Sequence, residues 1–299
     1  MYEVKAGSVV ANTSEILRIL ANNGPDESEY QLFDNIINQV DNEKEGQMFR
    51  ELMSPILEKE SIFGHTFQKP YGYAGDYFLI EKIYQLHESD DPAIKKWDRF
   101  YHSHEACVAV INRKTYFLNK LEELHQRNKE ARVLILGSGP ATDVFEFNSS
   151  QEEAGIENSL RFDLLDIDQG ALDYAAKKNE RYVDNIEFVR TNVMKYSTDE
   201  KYDLIWSAGL FDYLNDKYFT VLLAQFQDNL REEGQIIVGN FSPSNPTKRI
   251  MEVMGDWILN YRDEEHLISL AEKAGIVASR CTVEKEPLGI NLFLKINKA

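Results

Sequence analysis

The chain has 299 residues, enough to bury a full core in one large domain or two, and 28% of them are charged. Lysine and arginine number 33 against 50 aspartates and glutamates, a net charge of −17. That field repels phosphate backbones and argues against nucleic acid as a partner, while the ordinary apolar content argues against a disordered chain. The opening Met1-Tyr2-Glu3-Val4-Lys5 lacks the basic and apolar regions of a secretory signal. No apolar run approaches the ~18 residues of a membrane span, so no span is expected and a reducing cytoplasm is the expected setting. Cys107 and Cys281 lack metal-site spacing and are expected to be buried free thiols; no metal site is expected.

Residues 1–125 read as mostly helical. Tyr30, Phe33, Ile37 and Val40 fall on one helix face. Met48, Phe49, Leu52, Met53, Ile56 and Leu57 form a second stripe, which Pro55 should end or kink. A third helix is expected from near Gly75 to Leu86. Ser89-Asp90-Asp91-Pro92 marks a break and a new start. A longer helical pattern then covers Ala93 to Leu124, with an interruption near His102.

After Arg127 strand-length apolar runs alternate with helical segments. The runs are Val133–Leu136, Phe162–Ile167, Ile186–Val189, Tyr202–Ser207, Gln235–Val238 and Leu292–Ile296. Such alternation predicts a parallel sheet covered on both faces. The expected organisation is an N-terminal helical lid or substrate domain over 1–125 and a Rossmann-like α/β domain over 126–299, with the boundary in the polar stretch His125–Glu130.

Val133-Leu134-Ile135-Leu136-Gly137-Ser138-Gly139-Pro140 is the most informative stretch. A strand that stops on Gly-x-Gly brings bare backbone up to a ligand, because glycine has no Cβ in the way and accepts positive φ. A dinucleotide fingerprint needs a third glycine three residues after the second; Thr142 stands there, which weakens a nicotinamide reading. The second strand ends in acid, Asp166-Ile167-Asp168. Asp166, an acceptor-only bidentate group, suits two ribose hydroxyls, and Asp168 is placed to cap the helix starting near Gly170. The third strand ends at Asn192-Val193, where an amide and a backbone N–H suit the adenine edge. The fourth ends on small Ser207, Ala208 and Gly209, followed by Asp212 and Tyr213. Open α/β sheets bind ligands at such strand ends.

These segments, in this order, resemble class I S-adenosylmethionine-dependent methyltransferases over about 170 residues. The resemblance implies a seven-stranded sheet closed by an antiparallel strand over Glu286–Ile296. It also implies S-adenosyl-L-methionine as cofactor, held by Gly137, Ser138, Gly139, Pro140, Asp166, Ile167, Asn192, Val193, Ala208 and Gly209. Ala141 departs from the glycine many members carry. Outside this core, Gly72-Tyr73-Ala74-Gly75-Asp76-Tyr77 and Trp257–Asp263 resemble bacterial methyltransferases of 3-hydroxypalmitic acid methyl ester biosynthesis. That narrower likeness implies transfer to a fatty carboxylate. It makes Tyr73 and Asp76 candidates for cofactor contact, and Asp76 also a group that orients substrate.

The catalytic candidates are Asp76, His104, Tyr213 and Arg262. His102 and His104 stand at i, i+2 and do not face the same way, which disfavours a metal pair; each is a candidate base. Arg113 and Arg262 are candidate carboxylate anchors through their bidentate forks. The expected partner is a small-molecule acceptor. A carboxylate nucleophile needs no general base, whereas a hydroxyl or amine does. Two alternatives stand beside methyl transfer: aminopropyl transfer on the same fold, and a cofactor-binding protein without catalysis. Oligomeric state is not readable from the residues.

Overall fold

A computed structural model describes residues 9–156 and 159–298; the opening Met1–Lys5 therefore lies outside the described residues. In chain order the helices are α1 (Val9–Ala21), α2 (Tyr30–Asn38), α3 (Glu43–Leu52), α4 (Ser54–Leu57), α5 (Ile62–Gln68), α6 (Tyr77–Tyr84), α7 (Pro92–His102) and α8 (Glu105–Arg127). Strands and helices then alternate: β1 (Arg132–Leu136), α9 (Thr142–Glu153), β2 (Arg161–Asp166), α10 (Gln169–Lys178), β3 (Ile186–Arg190), β4 (Tyr202–Ser207), α11 (Asp216–Gln227) and β5 (Leu230–Phe241). The chain closes with α12 (Lys248–Gly255), α13 (Glu264–Lys273), β6 (Cys281–Lys285) and β7 (Asn291–Asn297).

Two compact units emerge. One holds residues 1–108 and 245–258, the other 109–244 and 259–299. The expected division at 125/126 is thus shifted, and the helical unit also takes back a later segment. The reason lies in α8: Phe117, Leu121 and Leu124 are buried in the core of the sheet unit, so most of this helix belongs with the sheet.

In the helical unit each break in the sequence pattern has a local cause. Pro55 sits in the first turn of α4, where its missing N–H costs nothing. Asp91 caps α7 by accepting the Ala93 N–H at 2.9 Å, and Pro92 opens that helix. Phe33, Phe49, Phe63, Trp97 and Phe100 form a buried aromatic cluster with ring centroids 5.5–6.5 Å apart. Asp98, 1% exposed, fastens the start of α5 and the loop before α7 by accepting the Ile62 N–H at 3.0 Å and the Ser89 N–H at 2.9 Å.

The sheet unit carries a seven-stranded sheet in the order β3-β2-β1-β4-β5-β7-β6. The first five strands run parallel, and β7 and β6 pair antiparallel. Strand alternation divides two cores. Leu134, Leu136, Ile205, Ile236 and Val238 face α11 and α13, whereas Val133, Ile135, Leu204, Trp206 and Ile237 face α8, α9 and α10. Burial on both faces explains why these strands read as continuous apolar runs. Phe117 stacks on Trp206 at 4.5 Å and 5°, and Tyr116 on Phe293 at 3.9 Å and 8°. Cys107 and Cys281 are free and buried, as expected. Among the described residues no helix is long and apolar enough to cross a membrane.

Candidate active site

From β1 the chain crosses to β2 on one side and, later, β4 pairs with β1 on the other. The order therefore reverses at β1/β4, and open α/β sheets bind ligands outside the carboxyl ends of the strands at such a point. Ser207 Oγ donates to the Leu136 carbonyl at 2.9 Å and pins the two strand ends together.

The glycine loop after β1 is held by β2. The N–H groups of Gly137 and Ser138 both donate to the Leu165 carbonyl, at 2.9 and 3.0 Å. The Gly139 N–H donates to Asp166 Oδ2 at 2.9 Å, and Asp166 Oδ1 accepts the Asp168 N–H at 3.0 Å. Gly137 and Gly139 take φ of 69° and 55°. A Cβ on Gly137 would lie 3.2 Å from the Leu210 Cβ. Ala141 takes φ 48° at the start of α9, a left-handed conformation that glycine would adopt without strain. The Ser138 hydroxyl is buried without a partner among the described residues, and Pro140 is buried.

Asp166 is 7% exposed, and burial raises its pKa against the lowering effect of the Asp168 and Gly139 N–H groups and, more weakly, that of Ile167. A carboxylate has about four acceptor sites, so two remain for a ligand. Asp168 caps α10 as expected, accepting the Gly170 N–H at 2.8 Å. Ile167 is exposed. Asn192 turns its carbonyl oxygen to the local backbone, accepting the Met194 N–H at 2.9 Å, which leaves its NH2 and one lone pair for a ligand; Val193 beside it is buried. Ala208 and Gly209 are half-buried at the end of β4.

Beyond β4, Asp212 is 2% exposed. Its Oδ1 accepts the Phe241 N–H at 2.7 Å. Burial pushes its carboxyl up to about 7, opposed by that N–H and by the charges of Arg113 and Arg262. Tyr213 is exposed. Asp143, at the start of α9, is likewise buried and pushed up to about 6 by burial.

Three of the catalytic candidates have their polar atoms engaged elsewhere. Arg262 is 1% exposed and presents no free fork. Its Nη1 donates to Asn240 Oδ1 at 2.7 Å and to the Phe211 carbonyl at 3.2 Å, its Nε donates to Asp216 Oδ1 at 3.1 Å, and its Nη2 donates to the Leu214 carbonyl. It braces the loop after β4 against β5 instead of awaiting an acid. His104 lies in the helical unit with both ring nitrogens used, Nε2 on Asp34 Oδ1 at 3.0 Å and Nδ1 on the Tyr101 carbonyl at 3.1 Å. Asp76, in the same unit, is the cap of α6. It accepts the Phe78 and Leu79 N–H groups and bonds His65 Nε2 at 2.8 Å. Tyr73 is half-buried in that unit. An aspartate just before the apolar run Tyr77-Phe78-Leu79-Ile80 is itself a cap signal, and points to this outcome.

Two buried amides carry no weight in the sequence reading above. Asn240, fully buried on β5, holds Arg262 and also donates to the Asn260 carbonyl at 2.9 Å. Asn291 opens β7 with a buried Oδ1 that has no partner among the described residues. An amide inside an apolar strand, as in Ile237-Val238-Gly239-Asn240-Phe241, is the signal that marks such positions.

Residues 133–234 match the family model described as methyltransferase domain. No curated protein matches the chain. Among solved structures, the chain is similar to a possible exported protein from Bordetella parapertussis, at 17% identity and TM-score 0.67 over 98% of this chain and 97% of that one. It is similar to the S-adenosylmethionine-dependent methyltransferase SibL in its apo form, at 14% identity and TM-score 0.54 over 97% of both chains. It is also similar to the magnesium protoporphyrin IX methyltransferase ChlM from Synechocystis PCC 6803 with bound SAH, at 9% identity and TM-score 0.52 over 74% of this chain and 94% of that one. At these identities the likeness is one of fold, and the match of the family model covers β1 through the start of β5. Residues 133–234 thus match a methyltransferase domain, and the chain shares the fold of S-adenosylmethionine-dependent methyltransferases of known structure.

Proposed function

We propose that the protein transfers a methyl group from S-adenosylmethionine to a small-molecule acceptor. The observation that carries this reading is the Gly137–Pro140 loop fastened to β2, with Asp166 holding the loop and keeping two acceptor sites open. The residues fit the cofactor. Two glycines at positive φ shape a loop that other residues would strain to form, and the orphaned Ser138 hydroxyl between them is a donor and acceptor with no partner among the described residues. When bound, S-adenosylmethionine supplies a methyl group already activated by its sulfonium.

In this reading the chain's own residues mainly bind and align. Asp166 takes the ribose hydroxyls, with Ile167 beside it. Asn192 and Val193 face the adenine, and Gly137, Ser138, Gly139, Pro140, Ala208 and Gly209 bound the remainder of the cofactor. Holding nucleophile and methyl in line, and keeping water out, accounts for most of the rate such a site needs to provide. Asp212 and Tyr213, just past β4, are the groups available to shape the acceptor end. With its carboxyl near 7, Asp212 exists in both forms at neutral pH, the condition for proton transfer if the nucleophile is a hydroxyl.

The acceptor we favour is an acid, the carboxylate or hydroxyl of a hydroxy fatty acid or similar metabolite. The Gly72–Tyr77 resemblance and the net charge of −17 both support it over nucleic acid. The test is transfer of label from methyl-labelled S-adenosylmethionine to a panel of hydroxy fatty acids, other small acids, amines, peptides and RNA. Label in the small acids is expected; label in RNA or peptide alone would overturn the acceptor class. Aminopropyl transfer would instead require decarboxylated S-adenosylmethionine as donor.

A further inference from the structure

The sheet unit buries two arginines near the loop after β4, and they differ in one respect. Arg262 has acceptors on all three nitrogens. Arg113, on α8, is only 6% exposed, yet among the described residues its buried Nε has no hydrogen-bond partner. Its guanidinium lies against the bare face of Gly209, the second residue past β4. A Cβ built on Gly209 would stand 3.1 Å from Nη1 and 3.5 Å from Cζ and Nη2. The acid whose charge it feels is Asp212, whose Oδ1 is already taken by the Phe241 N–H.

A guanidinium withdrawn from water without a full set of acceptors is costly, and buried charges are as a rule paired. The planar fork is the shape that recognises a carboxylate through two parallel N–H bonds. Gly209 keeps the approach to it clear at the end of β4. We propose that Arg113 is the carboxylate receptor of this site, completed only when a ligand's carboxylate docks on it. The inference rests on the cofactor reading above. Two ligands of that reaction offer the same chemistry, the methionine carboxylate of the cofactor and the carboxylate of an acid acceptor.

Calorimetry on the full chain separates the sources. S-adenosylhomocysteine and 5′-methylthioadenosine share the adenosine and the sulfur, but only the first has a carboxylate. Decanoate and decanol, titrated in the presence of S-adenosylhomocysteine, form the same contrast for the acceptor. If the cofactor's carboxylate docks, Arg113→Met weakens S-adenosylhomocysteine at least tenfold and leaves 5′-methylthioadenosine within twofold. If the acceptor's docks, Arg113→Met spares both and weakens decanoate at least tenfold, with decanol unchanged. Unchanged affinities for all four ligands overturn the proposal. A wild-type chain that binds neither adenosine ligand overturns the cofactor reading instead.

Ligand-free melting supplies an independent check. In an Asp212→Asn background, where no carboxylate is left without its counter-charge, Arg113→Met is expected to leave the melting temperature unchanged or higher. A fall of several degrees would mean that the guanidinium is bonded within the fold, and would also overturn the proposal. Gly209→Ala, whose new methyl crowds the guanidinium at ordinary φ, is expected to reproduce the loss for the carboxylate ligand alone.

Discussion

Asp166 joins the loop to the cofactor, so its removal should be felt twice. In Asp166→Ala the ribose loses an ionised acceptor, and a hydrogen bond to a charged group is worth about 1.5–3 kcal/mol. At about 1.4 kcal/mol per decade, the dissociation constant for S-adenosylhomocysteine should rise roughly 10- to 150-fold. The same change strands the Gly139 and Asp168 N–H groups that the carboxylate accepts at 2.9 and 3.0 Å. An unsatisfied buried donor costs about 1–3 kcal/mol and these two are only part-buried, so the ligand-free variant should also melt lower, by less than that full cost for each. Asp166→Asn retains one carbonyl acceptor and should fall between the two. Calorimetric titration with S-adenosylhomocysteine, alongside thermal melting of each variant, reads both effects. Affinity within twofold of wild type for Asp166→Ala would refute the placement of the ribose.

Gly137→Ala must hold φ near 69° and set a methyl 3.2 Å from the Leu210 Cβ; the left-handed backbone alone costs about 1–2 kcal/mol. Cofactor titration should show a marked loss while circular dichroism stays native in shape, and undiminished affinity would show that the loop tolerates a Cβ. Arg262→Met leaves Asn240 Oδ1 and the Phe211 carbonyl without their donor, so denaturant unfolding should show a loss of about 3–5 kcal/mol. Any loss of transfer should then be equal for acids and neutral acceptors; a selective loss for acids would restore Arg262 as an anchor. Asp212 has a folded pKa near 7, raised above its ordinary value by burial. The native state therefore binds the extra proton between about pH 4 and 7, and this group's contribution to stability is present below that window and lost as pH rises through it. The wild-type melting temperature should thus decline against that of Asp212→Asn over this range, and parallel curves would contradict the assignment.

How much of this was legible depends on whether a residue's role is local. The runs Val133–Leu136 and Tyr202–Ser207 announce strands because both sheet faces are covered, and Asp168 announces a cap because Gly170 lies two residues on. β6 escapes the reading because Cys281-Thr282-Val283-Glu284-Lys285 is short, mostly polar and the edge strand of the sheet. The division near 125 misses because an apolar stripe such as Phe117, Leu121 and Leu124 shows that a helix face is buried, not against which unit. Arg113 and Arg262 are equivalent in sequence as arginines near aromatic segments. Only the tertiary structure brings Asn240, Phe211 and Asp216 around one of them and leaves Nε of the other without a partner. His104 and Asp76 look like catalytic groups for the same reason: their partners Asp34 and His65 lie 70 and 11 residues away along the chain.

The most direct test of the central claim is a crystal structure of the full chain with S-adenosylhomocysteine bound. The ligand is expected across the carboxyl ends of β1 and β4, with both ribose hydroxyls within hydrogen-bonding distance of the Asp166 carboxylate and the Gly137–Pro140 backbone against it. A ligand seated elsewhere, or one whose ribose makes no contact with Asp166, would contradict that claim.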